Sequence, residues 1–279
     1  MPRSLRATVA RPLAPLAAAL ALLAVPACKR QHFVVESVPD LPYPSCPAGV
    51  DMSPVVLAEH RLHSGVGDTR QSISERYRIE RRGCLVALVA RQEWPLQVAD
   101  VEALYNEALE PVRIWRRLTI PGSKRPDGNA DIKRFDFRTP EITTKHRDDA
   151  GHIDAEILRG PGGKAMPKAL IGPGRGLISM WLRRAHLAPG QKVREPTLDF
   201  RGVEKISDVT LQRLPDVKLD WLGGGTARVY TFLGREALYA DENDTVIGDL
   251  AGLVLAEKSP VPAPKAMPTF EPLDPVNTP

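Results

Sequence analysis

The chain has 279 residues, of which 43% are hydrophobic and 5% aromatic, and a formal charge of +4. Three arginines and no acid lie within residues 1–27, so the remainder carries a formal charge of only +1. That balance gives little reason to expect a nucleic-acid partner, while the length and aliphatic content allow one large domain or two small ones.

Residues 1–27 have the three-part build of a secretory signal: Arg3, Arg6 and Arg11 in front, an Ala/Leu run from Leu13 to Val25, then the small residue Ala27. The run is shorter than the ~20 residues a permanent membrane helix needs. Its end, Leu22-Leu-Ala-Val-Pro-Ala-Cys28, resembles the lipobox of bacterial lipoproteins. The resemblance implies cleavage after Ala27 and acylation of Cys28, hence a periplasm-facing envelope protein held to a membrane by lipid. Pro26 departs from the small or hydroxyl residue usual at its position, and an ordinary signal peptide with an incidental cysteine is the rival reading. Lys29, where an aspartate would resemble an inner-membrane retention signal, favours the outer membrane.

Residues 28–52 read as a tether, because Pro39, Pro42, Pro44 and Pro47 cannot donate ladder hydrogen bonds and favour extended backbone. With Cys28 used for lipid, Cys46 and Cys84 remain, and an oxidising compartment suggests that they form one disulfide; two separate thiols are the alternative.

Residues 53–257 form the expected folded body, and its signals are mostly β. Val55 to Leu62 reads as strand. Ile73, Tyr77 and Ile79 alternate with polar residues, as a sheet with one wet face requires. Arg81-Arg82-Gly83 supplies a turn into the run Cys84 to Ala90, apolar on both sides of its alternation, which predicts a strand covered on both faces. Asp100 then caps an expected helix with Val101, Leu104, Tyr105, Ala108 and Leu109 on one side, stopped by Pro111. Val112 to Ile120, and Phe135 with Phe137, return to the strand pattern. A second, shorter helix follows Gly172-Pro-Gly174, with Leu177, Ile178, Trp181 and Leu182 on one side and Arg183 and Arg184 at its end, where cations suit the dipole. Val209 with Leu211, Arg228 to Leu233, Arg235 to Ala240 and Val246-Ile247 complete the strands. Residues 258–279, with seven prolines, read as a disordered tail. The architecture expected is mainly β: a curved antiparallel sheet, or half-barrel, with about two covering helices.

The body resembles periplasmic half-β-barrel proteins of the domain-of-unknown-function kind, distantly similar to the lipoprotein carriers of the outer-membrane sorting pathway. The pieces that carry the resemblance are Ala108-Leu-Glu-Pro-Val112 leading into a strand, the Gly-Pro-Gly helix, Leu182-Arg-Arg-Ala-His-Leu-Ala-Pro-Gly190, and Glu236-Ala-Leu-Tyr-Ala-Asp241 with Val246-Ile-Gly248. The resemblance is taken to cover Ser53 to Leu255. The resemblance implies a curved sheet around an apolar groove and supplies no catalytic residue.

Candidate chemical sites are few. His60 and His63 fall on opposite faces of a strand and are expected to face solvent. His146-Arg-Asp-Asp-Ala-Gly-His152-Ile-Asp154 gathers imidazoles and carboxylates of the kind that hold a divalent cation, but its turn chemistry favours a solvated loop. Gly160-Pro-Gly-Gly-Lys164 lacks both the leading glycine and the hydroxyl residue of a phosphate loop. Cys84 sits in an apolar run unsuited to a reactive thiolate.

No catalytic residue, metal or cofactor is assigned. The reading is a lipid-anchored, non-catalytic module with a groove lined by Leu177, Ile178, Trp181, Leu182, Tyr230 and Phe232 that takes an apolar ligand or a segment of an envelope protein. A closed core built from the same six residues is the plainer alternative. A scaffolding lipoprotein of an envelope complex, and a metal-assisted hydrolase using His146 to Asp154, are the rival functions.

Overall fold

The computed structural model describes residues 44–64, 73–120, 131–137, 142–147, 153–158, 166–234 and 236–258. The proposed signal, Cys28, the first part of the tether, the tail from residue 259 on and residues 148–152 lie outside them. Eight strands run up and down in chain order: β1 (Pro54–Ser64), β2 (Ser74–Arg82), β3 (Leu85–Trp94), β4 (Gln97–Tyr105), β5 (Pro111–Thr119), β6 (Asp131–Asp136), β7 (Ile142–Arg147) and β8 (Ile153–Leu158). The last strand, β15 (Leu253–Leu255), pairs with the far side of β1 and completes a nine-stranded, curled half-barrel sheet.

The second sheet has six strands in the order β14 (Val246–Asp249), β13 (Glu236–Ala240), β12 (Gly225–Phe232), β11 (Lys205–Leu219), β10 (Lys192–Asp199) and β9 (Ala169–Ile171). All neighbours are antiparallel except β9 and β10, which run parallel. A parallel pair needs a crossover, and the one α-helix among the described residues, α1 (Arg175–Ala185), supplies it.

β3 is buried on both faces from Leu85 to Ala90, as its unbroken apolar run predicts. The first expected helix is a strand instead. Val101, Ala103 and Tyr105 share the inner face of β4, and Leu104 is buried on the other, so both faces are covered and the alternation disappears into an apparent helical period. Full-length pairing with β3 and β5 outweighs the local preference. The capping role assigned to Asp100 goes with it, since Asp100 lies within the strand opposite Arg91. The chain turns at Asn106, whose Oδ1 accepts the Glu110 N–H at 2.9 Å, and Leu109 takes a left-handed φ of 56° there.

The second expected helix is α1, but it does not cover a sheet with one side. Every residue from Gly176 to Leu182 is buried. Leu177 and Met180 join the cluster of Tyr77, Leu88 and Phe200, while Ile178, Trp181 and Leu182 join that of Leu211, Tyr230 and Phe232. The helix therefore sits between the two sheets, as an element apolar all round must. Gly176 allows the close approach: a Cβ there would stand 2.8 Å from Cγ of Tyr77.

Candidate functional site

Three irregularities of the backbone meet near the start of the fold. The β1–β2 register slips between Val56 and Ala58, so Leu57 is the extra residue of a bulge. The β2–β3 turn passes through Gly83 at φ +60°, where a Cβ would lie 2.7 Å from Sδ of Met52 and 2.9 Å from Val50. Cys46 and Cys84 are joined by a disulfide, Cα atoms 5.6 Å apart, which pins the incoming segment against this turn. Glycine at position 83 is what lets Val50 and Met52 lie down on it.

Between these features, the β4–β5 turn and α1 is a cavity of about 370 Å³. Leu57, Ile79, Leu85, Val86, Leu109 and Met180 supply its apolar lining. Arg81, Glu107 and Arg183 supply its charge. A volume in the low hundreds of Å³, with apolar and polar groups both facing it, is in the range of a small-molecule site. Arg183 is the unusual member: its Nη1 is shielded from solvent and meets no acceptor. Tyr105, the cross-strand partner of Val86, likewise keeps a buried hydroxyl without an acceptor, and burial pushes its pKa up. A shielded donor without an acceptor is costly.

A second concavity, about 430 Å³, is lined by Arg175, Arg201, Leu238, Asp249 and Leu250 among others. Its cations are already engaged. Arg175 donates through Nε to Asp249 at 2.8 Å and places Nη2 at the same distance, while Arg201 holds Asp199 at 2.9 Å.

None of the six residues assigned to a groove lines either space. Leu177, Ile178, Trp181, Leu182, Tyr230 and Phe232 are each at most 1% exposed and belong to filled core clusters. Their polar atoms are satisfied internally: the Trp181 indole N–H donates to Glu195 at 2.8 Å, and the Tyr230 hydroxyl donates to Asp244 at 2.5 Å. Asp244, itself 1% exposed, also accepts from Arg228 at 2.7 Å and lies 2.9 Å from Nδ1 of His186. His186 is the left-handed cap of α1, so this carboxylate ties the helix end to the β13–β14 turn. Side chains that interlock in this way leave no groove, and the apolar side of α1 is core.

The histidines also need correction. His63 is 4% exposed, and burial lowers its pKa; His60 packs edge-on against Tyr77, with ring centroids 5.7 Å apart. His146 sits opposite Asp154 in the β7–β8 register, and its Nε2 is 3.4 Å from Asp131. His152, Asp148 and Asp149 lie outside the described residues, and among those described no three His, Cys, Asp or Glu side chains converge as metal ligands. Among them, too, no helix is long and apolar enough to cross a membrane.

No family model and no curated protein matches this chain. Among solved structures it is similar to the crystal structure of a DUF1089 family protein from Pseudomonas aeruginosa, at 17% identity and a TM-score of 0.40, over 66% of this chain and 92% of that one. The likeness is distant and says nothing of a ligand.

Sequence reasoning did not find the cavity. Arg81 and Arg183 looked like turn and helix-end cations, and nothing in Val55-Val-Leu57 announces a bulge. The one available signal was negative: Val55 to Leu57 are consecutively apolar, which a strand with one wet face should not be.

Proposed function

We propose that this chain is a lipid-anchored envelope protein that binds a small amphipathic anion, an apolar chain ending in an acidic group such as a fatty acid, in the cavity beside the disulfide. The unpartnered Nη1 of Arg183, a residue that lines the cavity together with Leu57, Val86 and Met180, carries the reading. An alkyl chain against Leu57, Val86 and Met180 gains about 0.8 kcal/mol per buried CH₂, and a carboxylate on Arg183 adds a charge-assisted bond of about 1.5–3 kcal/mol. The envelope address rests on Arg3 to Cys28, with membrane attachment through the acylated Cys28. Binding alone needs no catalytic residue or cofactor.

The test is titration of the mature protein with a fluorescent fatty acid. Saturable binding is expected. Arg183→Gln should weaken it about tenfold or more, and Leu57→Trp, which fills the mouth, should weaken it with little change in stability. Absence of saturable binding, or equal affinity in both variants, would remove the proposal.

A further inference from the structure

The strand that leads into this cavity is apolar where it should be wet. Val50, Met52, Val55, Val56 and Leu57 are 39%, 41%, 58%, 54% and 39% exposed, respectively. They fall within eight consecutive residues, and Leu57 also lines the cavity. Scattered exposed apolar residues are ordinary, but a row of five at a cavity mouth is a surface waiting for an occupant.

Three observations choose that occupant. β15 reaches β1 only at Leu62 to Ser64, so the first half of β1 has β2 as its one partner strand among the described residues. Yet this open edge is a poor template for another strand: Pro54 has no N–H to donate, and the bulge at Leu57 interrupts the ladder. That argues against a second copy or a peptide adding by strand pairing. The disulfide fixes the entry of the tether beside the same row, and from Cys28 to Pro44 the chain can span at most roughly 55 Å, at 3.3–3.6 Å per residue. A protein held at Cys28 has this end as the first part of the described fold that its tether reaches. Exposed Arg81, in register with Val55, adds a cation of the sign that anionic headgroups attract.

We propose that Val50, Met52, Val55 and Val56 form a rim that seats on a lipid surface and places the cavity mouth at the level of the acyl chains. The proposal takes from the functional reading only that the chain is anchored at Cys28. The rim supplies weak, reversible contact by apolar burial at the headgroup boundary, and the anchor supplies permanence.

The test uses the full mature chain carrying Cys28→Ser, so that acylation does not hide the rim, mixed with vesicles of phosphatidylethanolamine and phosphatidylglycerol. Co-sedimentation is expected. It should fall at least fivefold in the Val55→Asp, Val56→Asp double variant and be unchanged in Leu250→Asp, a substitution at the other concavity. If the double aspartate lowers the thermal midpoint, the Val55→Ser, Val56→Ser pair replaces it, with the same expected loss. Three results overturn the proposal: no sedimentation of the Cys28→Ser chain, equal sedimentation of the rim variants, or a soluble dimer that those variants dissociate. Fatty-acid titration without vesicles separates the two ideas. Lost probe binding with intact vesicle binding fails the cavity reading alone, and unaltered vesicle binding in the rim variants alongside normal probe binding fails the rim alone.

Discussion

Glu75 on β2 accepts the backbone N–H of Gly176 at 3.0 Å, capping a helix that lies 101 positions further along the chain. The same oxygen accepts the N–H of Arg175, and the other accepts Gln92 Nε2 at 3.0 Å. Gly174, the residue in the capping position, brings no side chain of its own. A carboxylate from the neighbouring sheet thus meets both the free N–H groups and the positive end of the helix dipole. Burial pushes the Glu75 pKa up, while Arg175 and the donated N–H groups pull it back.

Glu75→Ala leaves these donors buried without an acceptor and is expected to cost about 1–3 kcal/mol in urea denaturation. Because α1 contacts both sheets, the loss should appear in a single transition. A variant as stable as the parent would mean that water or another group satisfies the helix end.

The disulfide closes a loop of 38 residues, which in the chain-entropy model contributes ~3–4 kcal/mol. Cys46→Ser, Cys84→Ser should lose that much, and fatty-acid affinity should fall as well, because Val50 and Met52 would no longer be pinned at the mouth. Non-reducing peptide mapping tests the bond directly: recovery of both cysteines as free thiols would end the prediction.

Acid should expose the cost of His63. With its folded pKa lowered by burial, the unfolded chain takes up the proton first as pH falls through about 6.5, so this histidine's contribution is intact above that pH and declines below it. His63→Leu should flatten the decline, by no more than about 1.4 kcal/mol per pH unit, and should not destabilise at pH 7.5. Denaturation midpoints of the two proteins at pH 7.5 and pH 5 decide it; parallel declines would assign the acid sensitivity to other groups.

Trp181 distinguishes core from groove. Trp181→Ala should cost about 3–5 kcal/mol by leaving a cavity in a packed cluster, with fatty-acid affinity of the folded fraction unchanged. Unaltered stability combined with lost binding would return this residue to a ligand site.

The β character and the positions of most strands were legible because β2 and β11 alternate apolar and polar residues, with Tyr77 and Ile79 buried in one and Val209 and Leu211 in the other. So was α1, bracketed by Gly174 and by the cations Arg183 and Arg184. The error at Val101 to Leu109 arose where both faces are covered: with Val101, Ala103, Leu104 and Tyr105 all buried, a period of two and a period of 3.6 fit equally well. The misplaced groove has a related cause. Leu177 and Trp181 are apolar whether they fill a core or line a pocket, and the sequence does not tell on how many sides a helix is packed. The cavity beside Cys84 is assembled from a bulge, two turns and a helix end, each ordinary when read alone.

The pairing of Leu62 with Leu255 also sets an order of assembly. β1 to β8 each join a neighbour in the chain, whereas β15 must return across nearly the whole folded length to reach β1. Such a non-local contact is slow to form, because the entropy of closing the long loop is lost before the contact repays it. The first strand would thus stand with its outer edge open until the last one is delivered. Refolding is expected to show a fast phase for the meander and a slower one for closure, and a chain ending before Leu253 should retain the first and lose the second.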